Sequence, residues 1–402
     1  MNAFKIRKIL YLMEYPIDLP GGGQMSTQTL CEGLCALAEE SKNGRNDRDY
    51  VFEPVVVCPK LLNKSEEDYP FRIVTYPSDE NRELSKVRRL SNFFSRIGHF
   101  RRIIKEEQPD LIHVSMSESL VTFGFLRVPG MFRKIPFVYT DRGLCYGYRF
   151  HSKFCIMHTM KRAARMVTTT QFNKSLWEKA KVPCDITVIP NTISASFDNY
   201  EEGKREEVKS RFDLEKSDFV IGFAGRISEE KDWPCVKNLI AALNEEHFDY
   251  RVALVLSTYE ERDKQLAYDI RKSITSQIGE DRLIYMHDLS QSEIADYYYM
   301  VDVFVMTSSF ESFGKAAVEA MSRKCAVLST SAGGLAEVIG REKNLYDKED
   351  LSKFAARMKE LYEDSDKLDL EREYFYDRYK SLYTKEVNVS RHADLYSEIL
   401  SK

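Results

Sequence analysis

Residues 310–321 read Phe-Glu-Ser-Phe-Gly-Lys-Ala-Ala-Val-Glu-Ala-Met, in which seven residues separate Glu311 from Glu319. The stretch follows an apolar run, so it predicts a buried strand, a short loop that carries Glu311, and a helix that begins near Gly314. A helix N-terminus presents unpaired N–H groups and the positive end of a dipole. The start of this helix is therefore a place where an oxygen-rich ligand can bind.

The two carboxylates suit an extended ligand. At a rise of ~1.5 Å per residue, Glu311 and Glu319 lie up to about 12 Å apart along the helix axis. They can accept hydrogen bonds from two separate sets of hydroxyls, which favours a nucleotide-sugar, bound where Gly314 and Lys315 open the helix. The alternative is a pair of solvated glutamates on a surface helix. The small and apolar neighbours of Glu319 argue against it, because burying a charge costs free energy unless the charge is paired.

This stretch resembles a known family. Glu-Ser-Phe-Gly at 311–314 followed by Val-Glu-Ala-Met at 318–321 is similar to the E-x7-E signature of family-4 retaining glycosyltransferases of GT-B architecture, and the Gly-Gly sequence at 333–334 extends the resemblance. The resemblance implies that Glu319 binds the ribose hydroxyls of the sugar donor and that Glu311 binds the sugar. The other donor-binding residues that it implies here are Phe313, Gly314 and Lys315.

The length and composition bound the remaining choices. A chain of 402 residues exceeds the size of one ordinary core, so we expect two domains. The net charge of −4 argues against a dedicated nucleic-acid binder. No apolar run reaches the ~20 residues of a membrane span, and no secretory signal is recognisable. The eight cysteines show no metal-binding spacing, which predicts a reducing compartment and a cytoplasmic protein.

Short apolar runs alternate with amphipathic segments along the whole chain, which is typical of parallel α/β sheets covered by helices. We predict one Rossmann-like domain over 1–192, a polar linker over 193–217, a second such domain over 218–370, and a helical tail over 371–402. The family resemblance implies a cleft between the two domains. It also implies an acceptor-binding first domain, a nucleotide-sugar-binding second domain, and a tail that packs back on the first.

A glycine-rich loop follows the first predicted strand. Its three consecutive glycines allow close backbone approach and supply N–H groups at a helix start. The loop is not G-x-G-x-x-G, so it carries no dinucleotide fingerprint, and a plain flexible turn is the alternative. In the resembling family this loop lies near the donor phosphates and the acceptor. The implied residues are Gly22 and Gly23 for the donor and Gln24 for the acceptor.

A pair of cations follows the first strand of the second domain. Arg226 and Lys231 are five residues apart and can clamp a diphosphate, the arginine with two hydrogen bonds and the lysine as a point charge. The alternative is two solvated surface cations. The pattern resembles the family's diphosphate-binding loop, which implies that both residues offset charge on the departing nucleoside diphosphate. With no Asp-x-Asp after a strand, we predict neither a catalytic metal nor a cofactor.

Three residues of the predicted first domain also stand at positions that match the family's pattern. Arg142 stands where the family commonly has a histidine near the transferred sugar, and we count it among the catalytic candidates. An arginine cannot shuttle protons at neutral pH, but it can bind a phosphate or an acidic sugar. His113 and Asn191 match strand-end and domain-junction positions, which implies secondary or acceptor-side roles. A packed core histidine is the alternative for His113.

The segment 86–105 combines seven Lys and Arg residues with apolar positions at helical spacing. Such a helix can lie on an anionic membrane surface. The alternative is a sheet-covering helix with a charged outer face. Peripheral attachment to the inner face of a membrane would suit a lipid-linked acceptor.

Together these features predict a retaining, metal-independent glycosyltransferase. It would move a hexose or N-acetylhexosamine from a nucleotide-diphosphate sugar, with UDP preferred on family frequency, to a hydroxyl of a carbohydrate or lipid-linked acceptor. Bacterial-type surface polysaccharide or glycolipid synthesis is the expected setting. The alternatives are a nucleotide-sugar-binding regulatory protein with weak or lost catalysis, and a GT-B epimerase or phosphorylase.

Overall fold

The computed structural model describes residues 4–19, 21–45, 48–78, 86–127, 130–258 and 260–402, without the side chains of 86–90. Contacts divide the chain into two compact units. Unit 1 comprises Met1–Asn191 and Lys385–Lys402, and unit 2 comprises Thr192–Thr384.

Each unit contains one parallel sheet, of seven strands in unit 1 and six in unit 2. The strands in the described residues are β1 Lys5–Leu12, β2 Tyr50–Pro59, β3 Arg72–Tyr76, β4 Leu111–Val114, β5 Phe137–Asp141, β6 Arg165–Thr168, β7 Ile186–Val188, β8 Val220–Arg226, β9 Arg251–Ser257, β10 Leu283–His287, β11 Val303–Met306, β12 Ala326–Thr330 and β13 Leu345–Tyr346.

Helices connect these strands and cover the sheets. Those in the described residues are α1 Gly22–Lys42, α2 Lys86–Glu107, α3 Ser117–Arg127, α4 Phe150–Met160, α5 Gln171–Lys179, α6 Lys204–Arg211, α7 Trp233–Glu245, α8 Glu261–Ile278, α9 Gln291–Met300, α10 Lys315–Ser322, α11 Leu335–Ile339, α12 Leu351–Glu363, α13 Ser365–Leu382 and α14 Lys385–Leu400.

The sheet of unit 1 has the order β3-β2-β1-β4-β5-β6-β7 and is buried on both faces. Successive residues of a strand face opposite sides. Ile9 and Tyr11 of β1 therefore pack with α1 and α14, whereas Leu10 and Leu12 pack with α2, α3, α4 and α5. Strand order reverses between β1 and β4. Their carboxyl ends thus border the position where open α/β folds bind ligands.

The sheet of unit 2 has the order β10-β9-β8-β11-β12-β13. Here the reversal falls between β8 and β11. Arg226 ends β8, and Glu311 lies in the loop after β11. The topology alone therefore brings the predicted cationic loop and the predicted acidic loop to one edge of one sheet. Two Rossmann-like parallel sheets confirm the predicted fold class.

The boundaries between the units differ from the prediction. The segment 193–217 is not a separate linker, because Ile193, Phe197 and Val208 are buried in the core of unit 2 and α6 lies within it. Its few apolar residues are spaced among many charges, which hides the helix from a composition-based prediction. Residues 371–384 also belong to unit 2, and only α14 joins unit 1.

The basic segment 86–105 falls within α2, and it covers the sheet of unit 1. Phe100, Ile103 and Ile104 are buried in the core, whereas Arg101 and Arg102 are exposed. The sheet-covering alternative thus accounts for the described part of this helix, while the side chains of 86–90 lie outside the described residues. Among the described helices, none combines the length and the apolar character that a membrane span requires.

The contact between α1 and α14 generates a stability prediction. A Cβ added at Gly33 would lie 2.2 Å from Cγ2 of Val389. Gly33→Ala should therefore lower the free energy of unfolding by about 1–2 kcal/mol, since overpacking outweighs the gain in helix propensity. Urea unfolding would measure the change.

The control is Gly98→Ala in α2, where an added Cβ meets nothing within 4 Å and should stabilise by roughly 0.5–1 kcal/mol. The cost of Gly33→Ala should shrink in a Val389→Ala background. Equal effects of the two glycine substitutions would show that the close helix contact is wrong.

Candidate active site

The loop of Glu311 is shaped by a glycine. Gly314 caps α10 with a φ of 94°, in the left-handed region that favours glycine. A Cβ at this position would also lie 2.5 Å from Cδ1 of Leu335. The backbone N–H of Gly334 donates to the Glu311 carbonyl at 3.0 Å. These constraints hold the acidic loop against the Gly-Gly turn at 333–334.

Glu311 forms an ion pair with Lys231. Nζ of Lys231 lies 2.9 Å from Oε2 of Glu311, and each side chain is 19% exposed. Two further bonds fasten the loops: the Thr307 hydroxyl donates to the Lys231 carbonyl at 3.0 Å, and the Ser309 N–H donates to the Glu230 carbonyl at 2.9 Å. The structure thus joins the two motifs that the sequence separates by about eighty residues.

Arg226 is the last residue of β8 and its side chain is exposed. Its carbonyl accepts a hydrogen bond from Nε1 of Trp233 at 3.1 Å, which fixes the backbone here. In the part of the chain that the structure describes, no carboxylate lies within 4.0 Å of its guanidinium. Arg226 is therefore a cation with unused hydrogen-bond donors at the edge of the sheet that also carries Lys231.

Glu319 lies in α10, and the Tyr298 hydroxyl donates to its Oε2 at 3.2 Å. Burial raises the pKa of Glu319, and the charges of Lys315 and Lys231, with the bond from Tyr298, oppose that rise. A half-buried carboxylate with two lysines nearby can accept hydrogen bonds from two adjacent hydroxyls. The sequence prediction missed Tyr298, because a Tyr-Tyr-Tyr run in a helix indicates only core packing.

Phe313 requires a correction. Its side chain is 2% exposed and packs edge-on against Tyr383, with ring centroids 5.7 Å apart. It therefore contributes to the core of unit 2 and offers no side-chain surface to a sugar donor. Lys315 is the first residue of α10, as predicted.

The predicted residues of the glycine-rich loop lie at the start of α1. Gly22 is the first helical residue. A Cβ on Gly23 would lie 3.2 Å from Cε of Met116, so this helix start approaches the chain that follows β4. Gln24 folds back over Gly21, where a Cβ would meet its Oε1 at 2.5 Å. Asn191, the last residue of unit 1's main segment, is buried.

His113 is a packed core residue, so its predicted acceptor-side role is not supported. It is fully buried, with Nδ1 2.6 Å from the Tyr396 hydroxyl and Nε2 2.7 Å from Oγ1 of Thr140. Burial lowers the pKa of His113 well below its usual value. Both ring nitrogens are occupied, which leaves none for a ligand.

Arg142 follows β5 and is partly exposed. Its Nη1 donates to the Ser115 carbonyl at 3.1 Å. Burial lowers the pKa of Arg142 to about 10, against an opposing influence of nearby acidic groups, so the side chain stays charged at neutral pH. It cannot act as a general base, which agrees with the reading of this position from sequence.

Glu14 is an acidic residue that the sequence prediction missed. It follows β1 and accepts a hydrogen bond from the Ser119 N–H at 2.6 Å, near the start of α3. Burial, followed by the charge of Glu118, raises the pKa of Glu14 to about 7. The sequence signal that could have identified Glu14 was its position just after the first predicted strand. Across the described residues, no group of three or more His, Cys, Asp or Glu side chains is arranged to hold a metal ion.

Comparison with known proteins agrees with this architecture. The family described as "Glycosyl transferases group 1" matches residues 204–378, and the family described as "Glycosyltransferase Family 4" matches residues 48–197. One relative is 2-deoxystreptamine glucosyltransferase of Streptomyces kanamyceticus, 28% identical over 185 residues, which are 45% of this chain and 46% of that protein.

A second relative is lipopolysaccharide 1,2-N-acetylglucosaminetransferase of Salmonella typhimurium, 24% identical over 179 residues, which are 44% of this chain and 46% of that protein. The chain thus spans about half the length of the curated relatives it matches. Anabaena HepE in complex with UDP and glucose is structurally similar, with a TM-score of 0.74, 16% identity and 98% of this chain covered against 100% of HepE. This likeness establishes the fold. The chain thus carries a glycosyltransferase family 4 domain over residues 48–197 and a glycosyltransferase group 1 domain over residues 204–378, and its two Rossmann-like sheets are those of the GT-B fold.

Proposed function

We propose that the protein is a retaining, metal-independent glycosyltransferase that moves a hexose or N-acetylhexosamine from a UDP-sugar to a hydroxyl of its acceptor. The observation that carries the proposal is the ion pair of Lys231 with Glu311 at the carboxyl edge of β8 and β11. Arg226, which pairs with no carboxylate among the described residues, ends β8 at this edge, and the partly buried carboxylate Glu319 lies in α10 under the influence of the Lys231 charge.

Each residue has a defined part in this proposal. Arg226 and Lys231 bind the diphosphate and offset its growing charge as the sugar departs, which is the task that a metal ion performs in other enzymes. Glu319 accepts hydrogen bonds from the ribose hydroxyls. Glu311 accepts them from the sugar, and its pairing with Lys231 keeps the lysine in place while no ligand is bound.

Retention follows from the use of the leaving group as the base. The bond between the anomeric carbon and the diphosphate oxygen breaks, and the acceptor oxygen bonds to that carbon on the same face. The acceptor proton passes to the departing diphosphate oxygen. This route needs no histidine, which suits a chain whose His113 has both nitrogens occupied. The relationship to HepE, which binds UDP and glucose, supports UDP as the nucleotide.

Exposed aromatic residues on unit 1 support the proposal of a lipid-linked acceptor and of peripheral attachment to the inner face of a membrane. Phe150 and Phe154 of α4 are 88% and 64% exposed, and Phe94 of α2 is 60% exposed. The segment 142–177 contains no acidic residue and seven Lys and Arg residues. Exposed aromatic rings among cations are typical of surfaces that bind anionic bilayers. The relationship to a lipopolysaccharide-modifying enzyme supports a role in glycolipid or surface polysaccharide synthesis.

The donor is tested first. We expect one UDP-sugar to raise the melting temperature more than GDP- or ADP-sugars, since a ligand that binds only the folded state stabilises it. Transfer or slow hydrolysis of that donor should then be detectable by UDP release. Stabilisation without any turnover, across carbohydrate and lipid acceptors, would favour the regulatory binder over the enzyme.

Glu319→Gln should weaken UDP binding by about 10–100-fold, because two hydroxyls lose a charged acceptor. The free protein should not be destabilised. Burial raises the pKa of Glu319 above its usual 4.5, so the wild type loses stability relative to the variant as the pH rises through and above that value. Calorimetric titration and melting curves would measure both effects. The exposed Glu342→Gln is the matched control, and equal UDP affinity in both variants would exclude the ribose role.

Vesicle flotation tests the membrane surface. The full chain should float with vesicles that contain phosphatidylglycerol and remain behind with pure phosphatidylcholine. Phe150→Ser combined with Phe154→Ser should lower the partition coefficient by about tenfold or more. Leu370→Ser, which alters a 68% exposed apolar residue of unit 2, serves as the control. Flotation that depends neither on lipid charge nor on the Phe150→Ser and Phe154→Ser substitutions would refute the proposal.

A further inference from the structure

Three polar atoms without partners lie at the carboxyl edge of the sheet in unit 1. They are Nε of Arg142, Oγ of Ser115 and Nε2 of His392, and all three are buried. Arg142 hydrogen-bonds to the Ser115 carbonyl, and the His392 ring stacks on His113, two residues before Ser115, at 5.9 Å. The three groups come from the ends of β5 and β4 and from α14. Native structures leave few buried polar groups unpaired, so such a cluster calls for an explanation.

Arg142 forms no ion pair with any of the residues that the structure describes. Among the described residues no carboxylate lies within 4.0 Å of its guanidinium. The neighbouring Asp141 is fully buried and serves other groups, since it accepts hydrogen bonds from Nε1 of Trp177 at 2.6 Å and from the hydroxyls of Tyr148 and Tyr139. A desolvated cation without a counter-ion opposes folding. Arg142 as a residue is partly exposed although its Nε is buried, so an external anion can approach the side chain.

His392 adds a hydrogen-bond acceptor. Its Nδ1 lies 2.9 Å from the carbonyl oxygen of Asn388, which can only accept, so this nitrogen carries the proton. Burial lowers the pKa of His392 to about 4, which keeps the ring neutral at pH 7. Nε2 therefore presents a lone pair that receives no hydrogen bond from any described residue. A ligand hydroxyl would satisfy it.

We infer that Arg142, Ser115 and His392 form a subsite for an anionic carbohydrate, in which Arg142 binds a phosphate or carboxylate and His392 accepts a hydrogen bond from a neighbouring hydroxyl. Arginine suits this task because its planar donors match both oxyanions. The identification of this ligand as the acceptor rests on the proposed function. The subsite itself lies wholly within unit 1, so it can be tested apart from donor binding in unit 2.

The test uses the full chain with Arg226→Gln, which weakens the other predicted anion site. Inorganic phosphate, glucose 6-phosphate, glucuronate and neutral glucose are titrated at constant ionic strength, with binding followed by calorimetry and melting temperature. We expect the two sugar acids to bind and glucose to bind at least tenfold more weakly. If glucose 6-phosphate binds more tightly than glucuronate, the natural ligand carries a phosphate, and the reverse order indicates a carboxylate.

Variants locate the binding. Arg142→Gln should weaken anion binding at least tenfold, Arg142→Lys should weaken it less, and the exposed Arg149→Gln should leave it unchanged. His392→Phe should weaken the binding of glucose 6-phosphate about three- to tenfold and leave the binding of inorganic phosphate unchanged. Without anion, Arg142→Gln should melt at the same or a higher temperature, because it removes an unpaired charge.

Three outcomes would overturn the inference. One is equal anion affinity in wild-type and Arg142→Gln proteins. Another is no response to any anion, which would mean that Arg142 is simply hydrated. The third is a large fall in melting temperature on Arg142→Gln, which would show a structural arginine. UDP titration of the chain with native Arg226, with and without Arg142→Gln, is the parallel control. A chain that binds anions through Arg142 but never binds UDP would retain the subsite and lose the proposed function.

Discussion

The ion pair between Lys231 and Glu311 is the interaction on which the proposed donor site depends. Exposed pairs contribute little to stability, and this one is four-fifths buried, so its two charges lose much of their hydration. Its importance is geometric, since it connects the loop after β8 with the loop after β11. In the proposed complex the pair places the Lys231 cation for the diphosphate of the donor and the Glu311 carboxylate for the hydroxyls of its sugar.

Much of the fold was predictable because the chain repeats one simple pattern. Strands buried on both faces give continuous apolar runs, and the alternation of these runs with amphipathic segments predicted both parallel sheets. Shorter or less regular elements escaped prediction. β13 has only two residues, and α3 carries a glycine and apolar residues on several sides, which weakens the helical period.

The residues of the candidate site likewise fall into those that could be predicted from the sequence and those that could not. Residues that local motifs mark, such as Glu311, Gly314 and Lys231, could be identified because a strand end, a turn and a helix start follow one another in sequence. Tyr298 and His392 could not, because they reach the sites from α9 and α14 and only tertiary packing brings them there. Phe313 was misassigned for the opposite reason, since a motif position does not tell which way a side chain faces.

The division of unit 1 into two separate stretches of sequence affects how it is made. Its main segment ends at Asn191, yet α14 supplies Ala393 and Tyr396 to the core that also contains α1. A ribosome must therefore synthesise all of unit 2 before this core can close. During that interval the part of α1 that packs on α14 stays uncovered in the nascent chain, and chaperones bind exposed apolar surface of this kind. The last helix thus sets the earliest moment at which the N-terminal half can finish folding.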